Sequence, residues 1–262
     1  MGTALLRGIR LGPDGAAAEV LLVDAVPAAV ESARALTGGN AGDLVDAGAA
    51  DLVLLAVKPK DAPSVLAELG PALSPRTLIV SVVAGLTTGD LIRMAGTTRV
   101  VRTMPNLAVA SGSGLVALCD DEISEEERQT LDAVLAPLGT VLRMPESQFG
   151  AATALVGSGP GFVALVAEGL EEGAVSVGFA RPDARRMVRA VLAGSADLLA
   201  DGSDPAGLRQ RVSSPAGTTV AGIGVLERGA VRAHLADAVR AAAARADELS
   251  MLASDAEARP SQ

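Results

Sequence analysis

The sequence predicts an α/β fold, a mostly parallel sheet covered by helices, followed by an all-helical domain; three features carry that expectation. Short apolar runs alternate with helix-forming segments through the first half, as when parallel strands are joined by crossover helices. Strand-like runs stop near residue 147, where long Ala-rich stretches of helical periodicity begin. Aromatic residues make up 1% of the chain, so the core must be filled by Leu, Val, Ile and Ala, which suit close helix packing.

In chain order, strands are expected at residues 19–24, 51–57, 77–83, 99–104, 114–119 and 141–144. Helix formers occupy 28–36 and 62–69. Ser124 and Glu127 have the spacing of a capping box, leading into Leu131, Val134 and Leu135 on one helical face. Four longer helices are expected at 161–177, 182–200, 215–227 and 231–250. In the last, Val231, Leu235, Ala238, Val239, Ala242, Ala246 and Leu249 form a broad apolar stripe. A partner subunit and the helix's own domain are equal claimants to it. The tail, 255–262, is expected to fray. The domain division is placed at 1–146 and 147–262.

Charge and composition exclude several classes. A net charge of −9 gives a nucleic-acid backbone or an anionic membrane little to hold, so neither is expected as a partner. Residues 147–167 lack charge and approach membrane-spanning length, but Gly157-Ser158-Gly159-Pro160-Gly161 should break them into two helices meeting at a functional turn. No signal-peptide pattern follows Met1. The one cysteine, Cys119, lies in an apolar run and reads as a buried bystander, which fits a reducing, cytoplasmic compartment. With Lys58 and Lys60 the only lysines and His234 the only histidine, a metal cluster, a Ser/His/Asp triad and a histidine acid are not expected.

Three segments carry a functional signal. Val212-Ser213-Ser214-Pro215-Ala216-Gly217-Thr218-Thr219-Val220 leads into a helix whose free amides and partial positive charge suit a carboxylate. Leu155-Val156-Gly157-Ser158-Gly159-Pro160-Gly161-Phe162 clusters glycines that permit close approach to a ligand. Val101-Arg102-Thr103-Met104-Pro105-Asn106 follows a strand at the edge where open α/β sheets bind ligands. Taken singly, the first reads better as an ordinary helix cap, the second equally as a plain interhelical turn, and the third better as a turn.

Taken together and in order, these segments resemble the pyrroline-5-carboxylate reductase family. Its members carry a Met-Pro-Asn segment after a strand, a Gly-Ser-Gly-Pro-Ala-Tyr-like segment opening a long helix, and a Ser-Pro-Gly-Gly-Thr-Thr-like signature near the C-terminus. Leu55-Ala56-Val57-Lys58-Pro59 is similar to the family's Ala-Val-Lys-Pro cofactor segment, and residues 80–85 resemble its Val-Ser-x-x-Ala-Gly strand. The similarity runs from residue 1 to about residue 251.

The resemblance implies a Rossmann-like dinucleotide-binding domain followed by an all-helical dimerisation domain. It implies reduction of 1-pyrroline-5-carboxylate, a small cyclic imine, to proline by hydride transfer from NADPH or NADH, in a homo-oligomer built through the helical domain. By resemblance the amides of Gly217, Thr218 and Thr219 hold the substrate carboxylate, Thr219 places its hydroxyl near the ring nitrogen as the catalytic group, and Ser158 belongs to the substrate site. Gly2, Ala56, Val57, Lys58, Pro59, Met104 and Asn106 fall to the cofactor. Asp24, at the end of the second-strand candidate, suits a ribose 2′-hydroxyl and would repel a 2′-phosphate, so NADH is favoured over NADPH. A capping role for Asp24 is the competing reading.

The sequence departs from the family pattern in several places. The opening strand and Gly-x-Gly-x-x-Gly loop are missing, and Met1-Gly2-Thr3-Ala4-Leu5 resembles the end of that loop. A start placed too late is favoured over a shortened protein. Ala216 replaces the first Gly of the Ser-Pro-Gly-Gly motif, Gly161-Phe162 replaces Ala-Tyr, and Leu107-Ala108 replaces Thr-Pro. Another imine or keto-acid reductase of similar architecture therefore stays open, as does a non-catalytic oligomeric paralogue that lost the cofactor loop. A β-hydroxyacid dehydrogenase would need a lysine in the helical domain, which is absent.

Overall fold

The computed structural model describes residues 1–13, 18–121, 123–200, 202 and 204–257. Residues 258–262, the end of the tail expected to fray, lie outside them. All six expected strands form: β1 (Leu21–Leu22), β3 (Leu52–Leu55), β4 (Leu78–Ser81), β5 (Val100–Pro105), β6 (Gly114–Cys119) and β7 (Gly139–Arg143). A seventh, β2 (Asn40–Ala41), pairs in parallel with β1; its two exposed residues give no apolar signal by which to expect it.

β3 to β7 lie side by side in chain order in one sheet, while β1 and β2 form a second. Neighbours in the five-stranded sheet are parallel except β5 and β6. Those two are joined by a short 3₁₀ turn, Leu107–Ser111, too brief for the crossover that a parallel partner needs. Successive residues of β4 enter opposite cores, Leu78 and Val80 one and Ile79 the other, so the sheet is covered on both faces. β3 is the edge, and Leu52, Val53 and Leu54 stay partly exposed although their composition is that of a central strand.

The covering helices are α1 (Gly2–Ile9), α2 (Pro27–Thr37), α3 (Leu44–Gly48), α4 (Ala62–Leu69), α5 (Thr88–Ala95) and α6 (Glu125–Leu135). The Ser124/Glu127 capping box forms, and a second box, Thr87/Asp90, opens α5. α1 packs so closely on the Leu107–Ser111 turn that a Cβ on Gly8 would stand 2.1 Å from the Val109 carbonyl oxygen.

The second half corrects three boundaries. The glycine-rich segment joins two helices at a turn as expected, but the turn is a single residue and a π-turn precedes it. α7 (Phe149–Ala152) passes through a π-turn (Thr153–Gly157) and the single turn residue Ser158 into α8 (Gly159–Ser176). Pro160 sits in the first turn of α8, where no amide is required of it. By length and composition alone the run Glu146–Ser176 could cross a membrane. α9 (Arg181–Ala200) agrees with expectation within one residue, and a short α10 (Pro205–Arg211), capped by Asp204, was not expected. α11 (Thr218–Arg228) starts three residues later than residue 215, with Gly217 as its N-cap, and α12 (Val231–Glu257) extends past residue 250.

The chain divides into two compact units, Met1–Gly157 with Ala242–Gln262, and Ser158–Ala241. Among the described residues of the second unit, Ala184 and Val188 are the buried apolar ones, while Leu165, Val177, Val191 and Val225 are exposed.

Candidate functional site

In the first unit, the C-terminal ends of parallel β3, β4 and β5 meet at one sheet edge, the edge that takes ligands in open α/β sheets. Ala56, Val57, Lys58 and Pro59 leave that edge after β3, and Met104 and Asn106 at the end of β5. Ala56, Val57, Met104 and Asn106 are partly exposed, Lys58 and Pro59 fully so. The first turn of α1 lies against the same edge, since a Cβ on Gly2 would come within 3.1 Å of the Ala56 Cβ. The fold thus brings together two of the expected cofactor residues, 54 positions apart in the sequence.

α1 begins without a side-chain cap and without an acidic residue in its first turn. α3, α5 and α6 are closed by Asp43, Thr87 with Asp90, and Ser124 with Glu127, whereas α2 and α4 share the open start of α1. An anion at the start of α1 would meet unpaired amides and no competing carboxylate, which fits a dinucleotide phosphate.

Two expected cofactor residues also have structural work. Asn106 Oδ1 accepts from the Ala108 and Leu115 amides at 3.1 and 3.3 Å, fixing the turn after β5. Asp24 is exposed at the end of β1, and its Oδ1 accepts from the Val26 amide at 2.8 Å, so it shapes the entry to α2 while Oδ2 stays available.

In the second unit, the Gly217 amide donates to the Ser214 carbonyl at 3.0 Å, closing a turn ahead of α11. Ala216 holds a left-handed conformation there, φ +57°. A Cβ on Gly217 would stand 3.1 Å from the Ser214 carbonyl oxygen and require the Ser214 hydroxyl to rotate away. α11 again opens without a side-chain cap or an acidic residue, with Thr218 exposed and Thr219 partly buried. The amides of Thr218 and Thr219 therefore gather at one helix start whose partial charge is about half a unit positive, while the Gly217 amide, expected to join them, is already held by Ser214. A shallow depression lined by Arg209, Gln210, Ser213, Val220 and Ile223 adjoins this turn. Ser158 caps α8, its carbonyl accepting from the Gly161 and Phe162 amides.

One polar cluster escaped the sequence reading. Arg102, 7% exposed in β5, donates from Nη1 to Glu146 Oε1 at 2.8 Å. Its guanidinium lies 4.7 Å from the centroid of the buried Phe149 ring. The same Glu146 oxygen accepts from the Thr88 amide at 2.7 Å and the Thr88 hydroxyl at 3.1 Å. Burial pushes the Glu146 carboxyl up, but the bonds from Arg102 and Thr88 outweigh it and hold the group below the usual carboxylate range. Cys119, directly opposite Arg102 in β6, is buried, and burial with the charges of Asp121 and Glu146 pushes its thiol up, which leaves it inert. The available signal was an arginine inside an apolar strand, a residue that must find a partner when buried.

Comparisons with known proteins identify the family and the fold. Residues 146–249 match the family described as pyrroline-5-carboxylate reductase dimerisation, and residues 1–85 the family described as NADP oxidoreductase, coenzyme F420-dependent. The pyrroline-5-carboxylate reductase of Thermus thermophilus is 40% identical over 210 residues, 78% of this chain and 77% of that protein. That of Synechocystis is 34% identical over 205 residues, 78% and 76% of the two. The structure of a pyrroline-5-carboxylate reductase from Coxiella burnetii superposes with a TM-score of 0.85 at 29% identity, covering 95% of this chain and 94% of that one. Plasmodium falciparum pyrroline carboxylate reductase with NADP bound gives 0.79 at 26% identity, covering 95% and 94%.

Proposed function

The chain belongs to the pyrroline-5-carboxylate reductase family, and on that premise we propose how its own residues serve the family reaction, reduction of 1-pyrroline-5-carboxylate to proline with NAD(P)H. The observation that carries the assignment of roles is the approach of Gly2, at the start of α1, to Ala56 after β3, at the C-terminal edge of the parallel strands. In this reading α1 takes the cofactor phosphates beside Gly2, and α11 takes the substrate carboxylate through the amides of Thr218 and Thr219, with Gly217 shaping the turn ahead of them through its bond to Ser214.

The bound nicotinamide supplies the hydride. The Thr219 hydroxyl holds the protonated ring nitrogen, which keeps the imine carbon electrophilic, and Ser158 completes the substrate site. Ala56, Val57, Lys58 and Pro59 line the dinucleotide, with Met104 and Asn106 beside the nicotinamide. Such a site needs no side-chain metal or nucleophile, because alignment of donor and acceptor lowers most of the barrier. The relatives' names favour this substrate over another imine or a keto acid.

We further propose that NADH is preferred, since Asp24 offers a carboxylate where a 2′-phosphate would need a cation. Residues 1–146 form the NAD(P)-binding part and 147–262 the helical part in the same reading, and the location is cytoplasmic. The protein forms homo-oligomers, as the matched dimerisation family indicates, and the exposed apolar side chains of the second unit are the surface available for it. Thr219→Ala tests the central role. Turnover per folded molecule should fall well beyond what loss of a mere cap, about 1 kcal/mol of stability, would bring. Unchanged turnover would make Thr219 structural.

A further inference from the structure

We propose that Arg102 and Glu146 are positioning residues for hydride transfer, holding the end of β5 that carries Met104 and Asn106. The inference rests on the reading of that strand end as the nicotinamide side of the site. Side chains alternate along a strand, so Arg102 and Met104 share one face of the sheet, opposite Cys119 and Ala117 of β6. On that face Arg102 is tied to two elements outside the sheet. Glu146 gathers three donors on one oxygen, from Arg102 and from the amide and hydroxyl of Thr88, the first residue of α5. Phe149, the first residue of α7, stacks on the guanidinium, and the π-turn that follows packs on β5. The strand is therefore fastened two residues before Met104 and four before Asn106.

Stability alone does not account for such a pair. Removing the Arg102 guanidinium from water is costly even with the partly exposed Glu146 beside it, and apolar side chains of like volume commonly serve a core as well or better. What the pair does supply is a single geometry: a planar guanidinium held between a ring and a carboxylate fixes distance and orientation together, as a lysine would not. Fixed geometry at the end of β5 matters for a reaction that depends on alignment more than on acid or base groups.

The test uses the full chain, with Glu146→Gln, Arg102→Met and Arg102→Lys compared with the unsubstituted protein in pyrroline-5-carboxylate reduction. Glu146→Gln keeps the shape and an acceptor oxygen, so it remains informative if Arg102→Met fails to fold. All folded variants should lose roughly tenfold to a hundredfold in kcat while KM for both ligands moves by less than about twofold, the signature of misalignment rather than lost binding. Arg102→Lys should not rescue, and the isotope effect on kcat with cofactor deuterated at C4 should rise in every variant as the hydride step becomes slower. A kcat per folded molecule equal to that of the parent, activity loss that only tracks unfolding, or a rise in KM at constant kcat would overturn the proposal. Absence of turnover in the parent chain would overturn the proposed function itself, which separates the two failures.

Discussion

Substitution of Gly8 by Ala sets two known effects against each other. Gly8 is the seventh residue of α1, and in a helix interior Ala is favoured over Gly by roughly 0.8–1 kcal/mol. The new Cβ, however, would stand 2.1 Å from the Val109 carbonyl oxygen and 2.5 Å from Leu138 Cδ2. An ordinary contact begins at 3.4 Å, so α1 must retreat by 1.3 Å from backbone that cannot rotate away. The retreat would pull Leu5 and Ile9 from the core that they share with Val109 and Leu138. Overpacking of this kind costs about 1–3 kcal/mol, and the backbone contact places it at the upper end. The net loss is then about 2 kcal/mol, a fall in Tm of roughly 4–8 °C for a chain of this size. The displaced helix also carries Gly2, so NAD(P)H affinity should weaken by more than the stability loss alone explains. Thermal melts with and without cofactor, together with fluorescence titration of NADH, give both numbers. A Tm equal to or above that of the parent would show that helix propensity wins and that α1 is not packed as described.

Three further outcomes follow from particular contacts. Ala216→Gly should raise stability by up to about 1 kcal/mol, because Ala216 holds φ +57° and glycine adopts that conformation without strain; an unchanged or lower melting temperature would refute it. Asp24→Ser should shift the ratio of kcat/KM from NADH toward NADPH, and an unaltered ratio would leave Asp24 with only its turn-shaping bond to Val26. Glu146 is held below the usual carboxylate range in the fold, so its stabilisation is present above the unfolded pKa of about 4.3 and is lost as pH falls through the lower folded value. Acid titration of Glu146→Gln should therefore show a shallower loss of stability in that window, and identical curves would contradict the assignment.

The strands were legible because β4, β5 and β6 are apolar on both faces, a pattern that survives whatever surrounds them. β2 was not, since Asn40 and Ala41 are held by pairing with β1 and carry no pattern of their own. The capping box of α6 was visible as a spacing, and the same spacing at Thr87/Asp90 would have marked α5. The glycine-rich segment was legible as a turn but not in its brevity: helix geometry tolerates Pro160 in a first turn, and the π-turn absorbs the extra residue ahead of Ser158. At the site, local motifs placed Thr218 and Thr219 correctly at a helix start but put that start at Pro215, before the turn closed by Gly217 and Ser214. The approach of Gly2 to Ala56 and the Arg102–Glu146–Thr88 cluster join residues far apart in sequence, and no local pattern encodes such pairings.

The most direct test of the central claim is a label transfer. The protein is supplied with pyrroline-5-carboxylate and NADH or NADPH carrying deuterium at the transferable C4 position, and the product is examined by mass and NMR. Proline formed one for one with oxidised cofactor, with a single deuterium on the ring carbon that was the imine carbon, is the predicted result. Folded, cofactor-binding protein that yields no labelled proline would contradict it.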